Sequence, residues 1–243
     1  MQRSIRLFLL TCASLTLSSA AWSDVTENAP TVRAPNKRIA VIVVSDPEEV
    51  IVENRGGGEG FIPIPIAGAL VAKALTRKHS AEFVIALQKN EVHPGAEMTA
   101  ALVEQLTLAG YSVDLIKDGI REVDNPNSID LEKITTDAER ILVAKFDDLG
   151  LFSGFRTTSY RPRVNLDFDV LRKSDLETLY SQSIDFGADA SEVNDDEIPS
   201  DPKYVYATFD EVIYRQAEVI ESYRVGYQQI SAQFVKQLAK HGF

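Results

Sequence analysis

Apolar positions change period several times along the chain, and each change predicts an element. Arg38-Ile-Ala-Val-Ile-Val-Val44 is a continuous β-branched run. That is the pattern of a strand buried on both faces. Ser45-Asp46-Pro47 ends it. Past a glycine-rich loop, the apolar pattern predicts a helix over 66–89, which Val92-His93-Pro94-Gly95 breaks. A second helix is expected over 96–109, with Met98, Leu102, Leu106 and Ala109 on one stripe and Gly110 as its stop. Residues 111–116 read as a strand and 131–136 as a helical turn. Three strands then follow at 140–149, 160–171 and 177–187, joined by short turn-rich segments, as in an antiparallel meander. The middle strand is the clearest. Val164, Leu166, Phe168 and Val170 alternate with Arg163, Asn165, Asp167 and Asp169, so one face meets a core and the other meets water. Over 207–241 the period returns to helical, with Tyr223, Tyr227, Ile230, Phe234 and Leu238 on one stripe and Gly226 placed to bend it. The expected fold class is α/β (α+β): a single mixed sheet with a three-strand antiparallel meander, helices packed on one face, and a long C-terminal helix.

The first residues read as an export signal. Arg3 and Arg6 form a basic start, Leu7 to Leu17 is uncharged and apolar, and small residues follow up to Ala21 and Ser23. Signal peptidase cleavage is therefore expected between Ser23 and Asp24. The apolar stretch is too short for a stable span of about 20 residues. The only cysteine, Cys12, lies inside this segment. A lipoprotein cut before Cys12 would find Thr11 in a poor position and a very short apolar core, so cleavage at Asp24 is preferred. The mature chain then has no thiol, which excludes disulfides and cysteine chemistry. The expected division is a signal peptide at 1–23, a flexible leader at 24–36 and a single domain at 37–243, with loops at 53–60, 118–130 and 189–202. The expected location is the periplasm, with no transmembrane helix in the mature chain.

The formal charge is −11, and losing Arg3 and Arg6 with no acid before Asp24 takes it to −13. Nucleic acid is not an expected partner, because phosphates attract Lys and Arg.

Chemical motifs are sparse. The glycine run 56–60 precedes a helix but lacks a Gly-Lys-Ser/Thr, carries Glu59, and is separated from the helix by Pro63 and Pro65. His79, His93 and His241 have no ligand spacing, and His79 follows Arg77 and Lys78, as a solvated residue would. Nothing implies a cofactor, and no catalytic residue is assigned. Asp147, Asp167 and Asp169 are weak metal candidates beside Asn165, competing with Arg161 and Arg163; a calcium site needs six or more oxygens. With Asp148 these acids also form the alternative reading, a carboxylate-based enzyme or a small-ligand or cation binder.

Residues 61–75 carry one charge, Lys73. Such a run either packs as the first helix or docks a partner, with peripheral membrane contact a further option. The apolar entry holding Phe61, Ile62 and Ile64 is what core packing explains least. Tyr160, Arg161 and Arg163 could form a recognition patch, since Tyr and Arg are typical anchors.

The order of elements, with 38–44, 139–149 and 163–171 followed by the terminal helix, resembles the small α/β domains of bacterial envelope proteins. These include the amino-terminal domain of TolB, the curli-secretion lipoprotein CsgG and the penicillin-binding-protein activator LpoB. The resemblance implies an accessory role in the envelope with another envelope protein as partner, and it carries no functional residue across. The first reading is a non-enzymatic, protein-binding periplasmic protein.

Overall fold

One long strand organises the sheet. β4 (Arg140–Ser153) is 14 residues long, and two short strands share one of its edges. The computed structural model describes residues 37–55, 65–117, 128–154, 159–191 and 193–243. The expected export signal with Cys12, the expected leader, the glycine run, and Phe61, Ile62 and Ile64 lie outside the described residues.

β1 (Arg38–Ile42) pairs in parallel with the start of β4 through Ala40 and Val41. β2 (Ile51–Asn54) pairs in parallel with its far end, from Gly150 to Ser153. The chain between them does not stay in the sheet. Val44 donates its N–H to Thr99 Oγ1, and Asp46 Oδ1 accepts from the Gly95 N–H at 2.8 Å. Both partners lie in the first turns of α2 (Pro94–Leu108). The strand expected to reach Val44 stops at Ile42: Val43 still donates to the Ile116 carbonyl at 3.1 Å, but the Val44 N–H turns to α2. Gly95 allows this approach: a Cβ there would lie 2.4 Å from the Val44 carbonyl oxygen.

β3 (Ser112–Ile116) adds in parallel to the outer edge of β1. On the other side, β4, β5 (Arg161–Arg172) and β6 (Thr178–Gly187) form the antiparallel meander that the alternation predicts. A two-residue β7 (Glu197–Ile198) closes that edge. The order is β3-β1-β4-β5-β6-β7, with β2 beside β4. A bulge between Phe146 and Asp148 shifts the β4–β5 register.

The main core lies on one face of the sheet, against α1 (Pro65–Lys89), α2, α3 (Phe209–Tyr214) and α4 (Gln216–Lys240). Tyr223, Tyr227, Ile230, Phe234 and Leu238 are all buried, as their spacing predicts. Burial of Ile230, Phe234 and Leu238 contributes about 1.5–3 kcal/mol each. The expected single C-terminal helix is two, because the chain leaves helical geometry at Arg215. Thr208 caps α3 by accepting from the Glu211 N–H. Arg215 pairs with Glu211 and Glu218 and lies over the Tyr206 ring. A smaller apolar cluster of Ala40, Ile42, Ile141 and Leu171 covers part of the opposite face, under Ile134 and Ala138.

Among the described residues, no helix is long and apolar enough to cross a membrane.

Candidate functional site

The residues named from the sequence separate into three environments. Tyr160 is fully buried. Its backbone pairs with Tyr206 and its ring meets Phe209 edge-on at 6.3 Å. It belongs to the core and offers a partner no surface, which corrects the expectation of a recognition patch containing it. Arg161 is exposed. Arg163 is engaged: its guanidinium pairs with Asp148 at 2.9 Å, with Asp189, and with the face of the Phe152 ring.

The face opposite the helices carries the acids. Asn165 lies between Asp148 on β4 and Asp185 on β6 in the strand register. Its Nδ2 donates to Asp189 at 2.8 Å, while its buried Oδ1 has no hydrogen-bond donor among the described residues. Asp167 accepts from the Ser183 hydroxyl and lies 3.6 Å from Lys145. Asp147 sits exposed at the bulge. Asp147, Asp167 and Asp169 therefore do not converge. Among the described residues, no group of three or more His, Cys, Asp or Glu is set to hold a metal ion. Asp147 is the unpaired residue of the bulge, and Asp167 already has partners in Ser183 and Lys145.

Asp185 and Asp189 were not legible as neighbours of this cluster, since Asp189 lies past the end of β6 and only the meander brings it to Arg163. Burial raises the carboxyl of Asp148 above its usual range, against the pull of Arg163. Burial also raises Asp185, assisted by Asp189 and Glu197 and opposed by Arg163. Asp185 lines an acidic cleft of about 560 Å³ with Asp195, Asp196 and Glu197.

The sign of the consequence for Asp185 follows from linkage. An acid whose folded pKa exceeds its unfolded value destabilises the fold where it is ionised, and the penalty disappears below the unfolded pKa. Asp185→Asn is therefore expected to raise the urea midpoint at neutral to alkaline pH. The new amide can also donate to the orphaned Asn165 oxygen. The gain should shrink as pH falls towards about 4, the ordinary carboxylate range. A midpoint that drops at alkaline pH would mean that the carboxylate is favourably paired.

The third environment is α1. In the C-terminal half of the helix, His79, Ser80, Phe83, Ala86 and Leu87 are buried. His79 is not solvated as its basic neighbours suggest; its ring stacks on Phe209 at 4.0 Å. Ser80 Oγ accepts from the Val52 N–H, which ties the helix to β2. Further towards the N-terminus, Val71, Ala72, Lys73 and Ala74 are all exposed. Core packing therefore does not account for this part of the uncharged run. Val71, Ala74, Lys78, Ala81 and Ile85 recur at intervals of three and four, and all are exposed, Ile85 at 63 %. They form one seam along the helix, small or apolar at every position except Lys78.

No family model matches the chain, and no curated protein matches it by sequence. Solved structures to which the chain shows similarity include a DUF330 protein from Xanthomonas campestris. It is 10% identical over 82% of this chain and 81% of its own, with a TM-score of 0.39. A lipoprotein from Neisseria meningitidis is 12% identical over 64% of this chain and 86% of its own, with a TM-score of 0.33. A Helicobacter pylori chain described as a homologue of a neuraminyllactose-binding hemagglutinin is 12% identical. It covers 86% of this chain and 87% of its own, with a TM-score of 0.34. Likeness at this level carries no function across.

Proposed function

We propose that this is an exported, non-enzymatic accessory protein of the cell envelope, and that it binds another envelope protein through a helix laid along α1. The observation that carries the reading is the exposed seam of Val71, Ala74, Ala81 and Ile85. Spacing of three and four is what a partner helix reads, because it keeps one stripe facing the partner. Alanine at two of the positions allows close approach of the two backbones. Lys78 can lay its aliphatic stem on the seam and keep its ammonium in water. Contiguous apolar surface left facing water marks interaction sites, whereas singly scattered apolar residues do not. The export pattern of residues 1–23 supports the compartment. The resemblance of the element order to that of TolB, CsgG and LpoB domains agrees with an accessory role. Two of the sheet-face acids, Asp148 and Asp189, are engaged with Arg163.

The test is site-specific photocrosslinking in the native host, with a benzophenone side chain at Ala74 or Ala81 and a control at Glu104 on α2, which is also exposed. Discrete protein adducts from the first two positions and none from the third are expected, and Ala74→Glu should abolish the adduct formed from position 81. Equal labelling at all three sites, or lipid adducts alone, would overturn the proposal.

A further inference from the structure

At the end of the sheet where β4 begins and β5 ends lies a cleft of about 600 Å³. This volume is within the usual range of small-ligand sites, about 300–1,000 Å³. Its charge is unusual for a chain carrying −11. Arg140, Arg172 and Lys173 line it, with Glu139 as the one acid. Arg140 and Arg172 are direct cross-strand partners in the antiparallel ladder. Like charges placed so are unfavourable unless something compensates them. Arg172 is compensated by Asp175 and Glu177. Arg140 and Lys173 have no carboxylate partner among the described residues. Arg140 instead lies over the Phe243 ring, 5.0 Å from its centre. The Tyr111 hydroxyl donates to the Phe243 carbonyl at 2.9 Å and helps hold that residue in place. The rest of the lining is apolar or small, with Leu179, Ala138 and Ser174 beside the ring.

We infer that this cleft binds an amphipathic anion, a phosphate or carboxylate head held between Arg140 and Lys173 with a short apolar tail against Leu179, Ala138 and the Phe243 ring. Charge-assisted hydrogen bonds suit the head, and the ring and leucine suit the tail. Neither α1 nor the partner proposed for it takes part, so the two proposals stand or fall separately.

The probe is hexyl phosphate, titrated calorimetrically at low ionic strength into the protein as its host processes it, with inorganic phosphate and hexanol as comparisons. Hexyl phosphate is expected to bind about tenfold or more tighter than inorganic phosphate, since each buried methylene adds to affinity, and hexanol is expected not to bind. Arg140→Gln with Lys173→Gln should weaken hexyl phosphate about tenfold or more, and Arg140→Lys, which keeps the charge, should restore most of the loss. Lys173→Gln alone guards against a folding defect, because that side chain has no ion-pair partner among the described residues. Sedimentation with phosphatidylglycerol vesicles distinguishes the sources. Sedimentation lost in the double variant identifies a lipid head, and hexyl phosphate binding without sedimentation identifies a soluble ester; both support the site. Absent hexyl phosphate binding, affinity no better than for inorganic phosphate, or affinity unchanged in the double variant would overturn it.

Discussion

Phe234→Ala is expected to cost about 3–5 kcal/mol of folding stability, the range for removing a buried aromatic ring. Phe234 is fully buried on the inner stripe of α4. It stacks on Phe168 of β5, with ring centres 4.2 Å apart and planes 14° from parallel. Tyr180 of β6 touches the same ring at 6.3 Å. The cost depends on how far the surroundings can collapse into the space left. Here they can collapse little. Phe168 sits on a strand fixed by ladders on both sides. Tyr223 anchors the same helix elsewhere, donating its hydroxyl to the Gly150 carbonyl at 2.7 Å. The cavity term should therefore add to the lost burial. Domains are stable by about 5–15 kcal/mol, so this one change would remove a large share. Urea denaturation measures it directly. A loss below about 2 kcal/mol would mean that the helix moves to close the gap, unlike the packed cores on which the estimate rests.

What the sequence disclosed depended on whether a signal was local. β5 was legible because Val164, Leu166, Phe168 and Val170 repeat at period two and face the helices. The α4 stripe was legible for the equivalent reason at 3.6. β2 was not. Ile51 to Asn54 is only four residues long, it abuts a glycine run, and its partner on β4 is about 100 positions away. The break at Arg215 was hidden too, since nothing in the local pattern interrupts the helical spacing. At the candidate sites the same limit applies. Arg163 reads as a charged strand entry, but its engagement with Asp148 and Asp189 depends on register. Tyr160 and His79 have polar neighbours in sequence and apolar ones in space. The uncharged run 61–75 could be read from composition either as a packed first helix or as a docking surface. Only the arrangement of α1 against β2 shows which stripe of the helix stays outside. The cleft beside Arg140 gave no sequence signal, because its cations come from two strand ends that the antiparallel ladder brings together.

Gly226→Val should destabilise the protein by roughly 3 kcal/mol, the upper part of the range for overfilling a packed core. Glycine inside a helix costs about 1 kcal/mol relative to alanine, so its presence in the middle of α4 calls for a reason. Glycine does not break the helix, which runs without interruption from Gln216 to Lys240. The reason is approach. A Cβ at position 226 would meet the Phe186 ring of β6 at 2.8 Å, closer than such atoms come. Phe186 is fully buried and cannot swing away. Gly226→Ala sets the helix-propensity gain against that contact, so it should cost less than valine, whose two further methyl groups and restricted side-chain rotation leave nowhere to go. The mechanism makes a second demand. Shortening the ring in the double variant, Gly226→Val with Phe186→Leu, should recover part of the loss, because residues in contact couple and distant ones add. Urea midpoints of the two single variants and the double variant give the coupling. Strict additivity would mean that the valine acts on α4 alone, and the close approach of helix and sheet would not be what glycine serves here.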